Sequence, residues 1–232
     1  MEQKLDGGRV VLVHGAYADG SCWSEVVGML HDAHISVASV QNPLTSLAED
    51  AAATDRALDR QAGPTVLVGH SWAGTVISQV GTHANVGALV FVAARAPDVD
   101  EDYAALAGRF PSPPAAAGLS FVNGFGQLNE EAFLHHFANG VEPRKARTLY
   151  SVQGPVSDTL FDSRTTTAAW RTLPCWYAVS TNDQTTSPEL ERFLAARMNA
   201  TTIDVDSGHL SMITHPRQIA DLILDAVASL RE

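Results

Sequence analysis

Ser71 stands in the run Val66-Leu67-Val68-Gly69-His70-Ser71-Trp72-Ala73-Gly74, where an apolar stretch gives way to small residues around a hydroxyl and then to a helical pattern. A serine hydroxyl is almost un-ionised at neutral pH. To act as a nucleophile it needs an adjacent base, and a third group that fixes the tautomer of that base. A strand-to-helix turn tight enough to project such a serine demands small residues two positions before and two after it. Gly69 and Ala73 meet that demand, although Gly is the usual residue where Ala73 stands.

The partners of a serine on such a turn are expected downstream, acid first and histidine second. Ser207-Gly208-His209 follows the last predicted strand and precedes the C-terminal helical pattern, which makes His209 the candidate base. Asp183, in the loop Ser180-Thr181-Asn182-Asp183-Gln184 directly after another strand-like run, is the candidate acid. Its rivals are Asp204 and Asp206, in or at the end of a strand, and Asp162, in an irregular region. A tetrahedral oxyanion would need two preorganised donors, and the backbone N–H groups of Trp72 and of Ala16, in the loop His14-Gly15-Ala16-Tyr17-Ala18-Asp19-Gly20, are the candidates.

Positioning these residues requires a scaffold, and the pattern supplies one. Short β-branched runs at 10–13, 36–40, 65–68, 88–93, 175–179 and 202–205 alternate with amphipathic stretches near 22–33, 47–62, 72–83, 188–198 and 216–230. Near-continuous apolar runs suit strands covered on both faces, so the spacing predicts an α/β fold with a mostly parallel sheet and helices on both sides. The rhythm breaks between about 97 and 170, a segment rich in Pro, Ala, Gly and Phe with helical pieces near 130–139 and 143–152 and no convincing strands. We read it as a compact cap inserted into a single domain whose core is 1–96 and 171–232, lying over the sheet edge where α/β folds form ligand crevices.

Composition narrows the function further. The 232 residues suit one domain, and 45% hydrophobic with 18% charged residues excludes a disordered chain. A net charge of −11, from 15 basic against 26 acidic residues, disfavours nucleic acid and anionic membrane as partners. Met1 to Asp6 carry no leader pattern and no apolar run approaches membrane-spanning length, so a soluble cytoplasmic protein is expected. Cys22 and Cys175 lack metal-ligand or redox spacing, and none of the nine histidines lies in a His-Glu-x-x-His string, so neither a metal site nor a cofactor is expected.

The strand followed by Leu12-Val13-His14-Gly15-Ala16 with Trp23, the Gln41-Asn42-Pro43-Leu44-Thr45-Ser46-Leu47 segment, the serine turn and the late Asp and His together resemble the α/β-hydrolase superfamily from about residue 9 to 225. The likeness is closest to small bacterial esterases related to plant methylesterases and hydroxynitrile lyases. It implies a six-stranded parallel sheet without an antiparallel opening hairpin, a compact cap, and cleavage of small, largely apolar carboxylic esters through an acyl-enzyme on Ser71. The expected partner is therefore a small-molecule ester, with homodimer formation left open. Gly15, Tyr17, Leu210 and Met212 beside the site are candidate substrate contacts together with Phe125 and Phe133 of the cap; Trp72, Phe110, Phe121 and Trp170 are further aromatic candidates. Lyases of this fold carry Thr at the position of Gly15 and Lys at that of Leu210. A lyase-like or lactone-cleaving enzyme, or a slow-turnover ligand receptor, remains the alternative reading.

Overall fold

The computed structural model of the chain describes residues 7–231; residues 1–6, read above for a leader, and residue 232 lie outside the described residues. The first half alternates as the pattern demands: β1 (Arg9–Val13), α1 (Ser24–Asp32), β2 (Ser36–Val40), α2 (Leu47–Leu58), β3 (Thr65–His70), α3 (Ala73–Val80) and β4 (Val86–Val92). α2 is shorter than expected. Its buried stripe, Leu47, Ala51, Thr54 and Leu58, finds no large apolar residue in the next turn, and Gly63-Pro64 follow.

The insertion holds α4 (Tyr103–Ala107), β5 (Leu119–Val122), β6 (Phe125–Leu128), α5 (Glu130–Ala132) running into a π-helical turn at Phe133–Phe137, α6 (Pro143–Ser151) and β7 (Val156–Ser157). Its three strands form a separate antiparallel sheet in the order β5-β6-β7, which corrects the expectation of a cap without strands. The hairpin turns at Asn123-Gly124, both with positive φ (52° and 80°). That dipeptide is the preferred chemistry for a two-residue hairpin loop.

The core then resumes with β8 (Cys175–Ser180), α7 (Pro188–Arg197), β9 (Thr201–Val205), the short α8 (Ser211–Thr214) and α9 (Pro216–Ser229). Ser187 caps α7 by accepting from the Leu190 N–H, with Pro188 and Glu189 in the first turn as the sequence indicates. The six core strands are all parallel in the order β2-β1-β3-β4-β8-β9. β3 is buried along its whole length, and fully burying a Val or Leu side chain stabilises the fold by about 1.5–3 kcal/mol. No helix among the described residues is long and apolar enough to cross a membrane.

Because every core strand runs the same way, all six C-terminal ends meet at one edge. The chain leaves β1 for β2 on one side and later returns to place β3 on the other, so strand order reverses between β1 and β3. Ligand crevices of open α/β sheets form at such a reversal. The cap is fastened over this edge: Ala115 donates to the Gln184 carbonyl (3.1 Å), Ser157 to the Leu44 carbonyl (2.9 Å), and the Asn139 amide to the Asn182 carbonyl (2.9 Å).

The start of α3 is packed tightly against the chain leaving β4. A Cβ on Gly74 would run into the Arg95 carbonyl oxygen, a backbone atom that cannot swing away. Gly74→Ala should therefore cost about 2 kcal/mol and lower Tm by roughly 4–8 °C in thermal unfolding, whereas Gly28→Ala, which meets nothing within 4 Å, should leave Tm unchanged or raise it.

Candidate active site

Ser71 occupies the turn between β3 and α3 with φ at 54°, a left-handed conformation that L-residues adopt only under constraint. Three backbone hydrogen bonds hold it: Ser71 N–H to the Val92 carbonyl (3.2 Å), and Arg95 and Gly74 N–H to the Ser71 carbonyl (3.0 Å each). Tyr17 (φ 59°), after β1, and Ala93 (φ 44°), after β4, are strained at the same sheet edge.

His209 and Asp183 meet across the neighbouring loops. His209 Nδ1 lies 2.6 Å from Asp183 Oδ2, with both side chains fully enclosed. The other carboxylate oxygen, Oδ1, accepts from the Thr185 (2.6 Å) and Thr186 (2.9 Å) N–H groups. A carboxylate so anchored accepts a hydrogen bond from Nδ1–H of the imidazole, which fixes the tautomer and leaves Nε2 as the basic nitrogen. Nε2 is buried and has no partner among the described residues. His70, next to Ser71 in the chain, ties the histidine loop to the serine turn: its Nε2 donates to the His209 carbonyl at 3.0 Å, with the rings 4.6 Å apart. Burial holds the His70 pKa well below the ordinary histidine value, helped by the neighbouring His209, so His70 stays neutral.

The loop after β1 is equally fixed. His14 donates from Nδ1 to the Gly15 carbonyl (2.8 Å) and accepts at Nε2 from the Asn42 N–H (2.9 Å), while the Asn42 amide returns to the His14 carbonyl (2.9 Å). Burial lowers the His14 pKa, in keeping with this neutral role. The backbone hydrogen bonds among the described residues leave the Ala16 and Trp72 N–H groups without an acceptor. Gly15 backs directly onto the serine: a Cβ there would lie 2.7 Å from Ser71 Cβ and 2.8 Å from the His70 carbonyl oxygen.

A cavity of about 270 Å³ opens beside Ser71, lined by Ala16, Tyr17, Trp72 and residues of the cap. Of the expected substrate contacts, Tyr17 lines it; Gly15, Phe125, Phe133, Leu210 and Met212 do not. Phe125 is turned outward by the unexpected hairpin and is 43% exposed, and Phe121 on the facing strand is 48% exposed. Phe133 (1% exposed), Leu210 (1%) and Met212 (0%) are consumed by packing under the cap. Trp170 is tied by its indole N–H to the Pro97 carbonyl (2.8 Å), and Phe110 packs on Phe193. The aromatic walls come instead from Tyr103, Phe137 and Phe161.

Three residues missed by the sequence reading support the site. Asp50, buried in α2, accepts from the Trp72 indole (2.8 Å) and from the Leu44 N–H (2.8 Å), locking the residue that follows the serine. Burial raises its pKa against those hydrogen bonds. Glu191, fully buried in α7, accepts from the Ser180 N–H at 3.0 Å. Burial, reinforced by the negative charge of Asp183, raises its pKa well above the ordinary carboxylate value. Tyr177 donates to the Ala94 carbonyl (2.6 Å) and accepts from its N–H (3.0 Å), pinning the chain beyond β4. In the sequence each looks like an ordinary helix or strand residue.

A model of the α/β-hydrolase family matches residues 10–222, so the chain belongs to that family. Among solved structures it is similar to polyneuridine aldehyde esterase (15% identity, TM-score 0.81, 95% of this chain and 99% of that one). It is also similar to a pyrethroid hydrolase from Sphingobium faniae JZ-2 (18%, 0.76, 96% and 99%) and to a methylesterase from Arabidopsis (16%, 0.76, 96% and 99%). At these identities the likeness is one of fold. No curated protein matches the sequence.

The competing carboxylates are engaged elsewhere: Asp204 pairs with Arg192 on the surface and Asp206 accepts from Asn182 (2.6 Å). If Asp183 orients His209, Asp183→Asn should lower kcat by roughly three to four orders of magnitude, while Asp204→Asn and Asp206→Asn stay within about threefold of wild type in steady-state kinetics. Comparable losses in all three variants would remove Asp183 from that role.

Proposed function

We propose that the protein is a serine esterase that cleaves small carboxylic esters through an acyl-enzyme on Ser71. The observation that carries the reading is the enclosed 2.6 Å contact of His209 with Asp183, joined through the His70–His209 hydrogen bond to a serine held at a strained turn. Ser71 Oγ attacks the ester carbonyl carbon as its proton passes to His209 Nε2, and Asp183 stabilises the imidazolium. The oxyanion is met by the N–H groups of Ala16 and Trp72. Collapse breaks the carbon–alkoxy bond, and His209 returns its proton to the departing alcohol. A water molecule, deprotonated by His209, then attacks the acyl carbon; collapse releases the acid and restores Ser71 with that proton. None of these steps needs a metal or an organic cofactor. The ester cleavage named for two proteins of similar fold, polyneuridine aldehyde esterase and the Arabidopsis methylesterase, supports the same chemistry here.

The lyase alternative finds less support. Gly15 has no room for a Thr side chain against Ser71 in this backbone, and the buried Leu210 stands where lyases of this fold carry Lys.

A panel of esters varied in acyl length and leaving group tests the proposal. Wild type should hydrolyse p-nitrophenyl acetate, Ser71→Ala and His209→Ala should lose several orders of magnitude in kcat, on the order of 10³ or more, and no cyanide should be released from mandelonitrile above background. Ser71-dependent cyanide release without ester turnover would replace the esterase reading with the lyase.

A further inference from the structure

The cavity beside Ser71 has nineteen lining residues, and Arg95 is the only charged one among them. It follows β4 by three positions and is held where its side chain meets the site: its N–H donates to the Ser71 carbonyl (3.0 Å), and the preceding residue, Ala94, is bracketed by the Tyr177 hydroxyl. Among the described residues its guanidinium forms no ion pair with a carboxylate; the polar group beside it is the Tyr103 hydroxyl. The comparably enclosed Arg197, by contrast, pairs with Glu101.

What surrounds Arg95 is aromatic. Its Cζ lies 4.0 Å from the Tyr103 ring centroid, 5.4 Å from Trp72 and 5.5 Å from Phe161. Ring faces hold a guanidinium in place without occupying its N–H groups, which leaves the planar fork free for a bidentate acceptor. The Tyr103 hydroxyl, also at this cavity, is buried with no partner. Burial lowers the Arg95 pKa, but a guanidinium keeps its proton at neutral pH. The other ionisable groups that influence Arg95 are Tyr17, Tyr103 and the exposed Asp162. Arg95 is half-buried, and a partly desolvated cation without a carboxylate partner is stabilised when a ligand supplies the opposite charge. On a molecule of net charge −11, a local cation is also what an anion needs in order to enter.

We propose that Arg95 anchors a carboxylate of the substrate, with the Tyr103 hydroxyl as a second donor, so that the cavity takes esters that carry a free acid group, such as half-esters of short dicarboxylic acids. This rests on the esterase reading of the same site and adds the substrate class. Nothing changes in the bonds made and broken at Ser71; the carboxylate only orients the ester.

The test compares monomethyl with dimethyl succinate, glutarate and adipate in a proton-release assay. For at least one chain length wild type should favour the half-ester by about tenfold or more in kcat/KM. Arg95→Met should abolish that preference, mainly through KM, and Arg95→Lys should keep part of it. Diesters turned over as well as half-esters at every length, or a preference that survives in Arg95→Met, would overturn the proposal and leave the esterase intact. In parallel, calorimetry on Ser71→Ala should detect monomethyl adipate binding that the Ser71→Ala, Arg95→Met double variant lacks. Such binding without Ser71-dependent turnover of any ester would overturn the esterase reading and leave the anion site standing.

Discussion

The structure around the site depends on the left-handed backbone at Ser71. An L-residue at φ 54° costs about 1–2 kcal/mol, so the turn persists only because its surroundings over-determine it. The hydrogen bonds that do so come from two directions: Val92 and Arg95 of the chain leaving β4, and Gly74 of α3. Ala93, itself at φ 44°, donates to the Ala178 carbonyl of β8, carrying the restraint to the strand that delivers Asp183. The same hydrogen-bond chain therefore fixes the serine, the free N–H of Trp72 and the root of Arg95.

Electrostatics at the sheet edge follow from burial. Burial lowers the pKa of His14 and His70 and, together with the charge of Asp183, raises that of Glu191, so each of the three is biased toward its neutral form. The Asp183 carboxyl group faces His209. Across the serine a single cation, Arg95, faces the cavity. Charge is sparse here and separated by the nucleophile, an arrangement suited to polarising and orienting one small ligand in a water-poor space.

The parts of the fold readable from sequence are those in which local chemistry and tertiary fate coincide. Runs such as Val66-Leu67-Val68 and Ala88-Leu89-Val90 are apolar because both faces of the strand are covered, and the structure puts strands there. Ser71, Asp183 and His209 were legible as candidates because each sits on the loop following a strand, where a parallel sheet gathers its C-terminal ends. The cap was not legible in this way. β5 and β6 are four residues each, with no clean alternation, and the Asn123-Gly124 turn between them stands in Pro- and Ala-rich surroundings. Once the hairpin forms, Phe121 and Phe125 face outward and the cavity walls fall to Phe137 and Phe161. Asp50, Glu191 and Arg95 acquire their roles only from neighbours far away in the chain, so no local pattern marks them.

Activation of Ser71 by His209, the step on which the proposed ester cleavage rests, leaves a chemical signature. The most direct measurement is intact-protein and peptide mass spectrometry after reaction with a fluorophosphonate, which forms a stable phosphonyl ester only with an activated hydroxyl. The account predicts one adduct per chain, mapped to Ser71, absent in Ser71→Ala and formed far more slowly in His209→Ala. An adduct on a different residue, or an unmodified Ser71 in protein that hydrolyses esters, would contradict it.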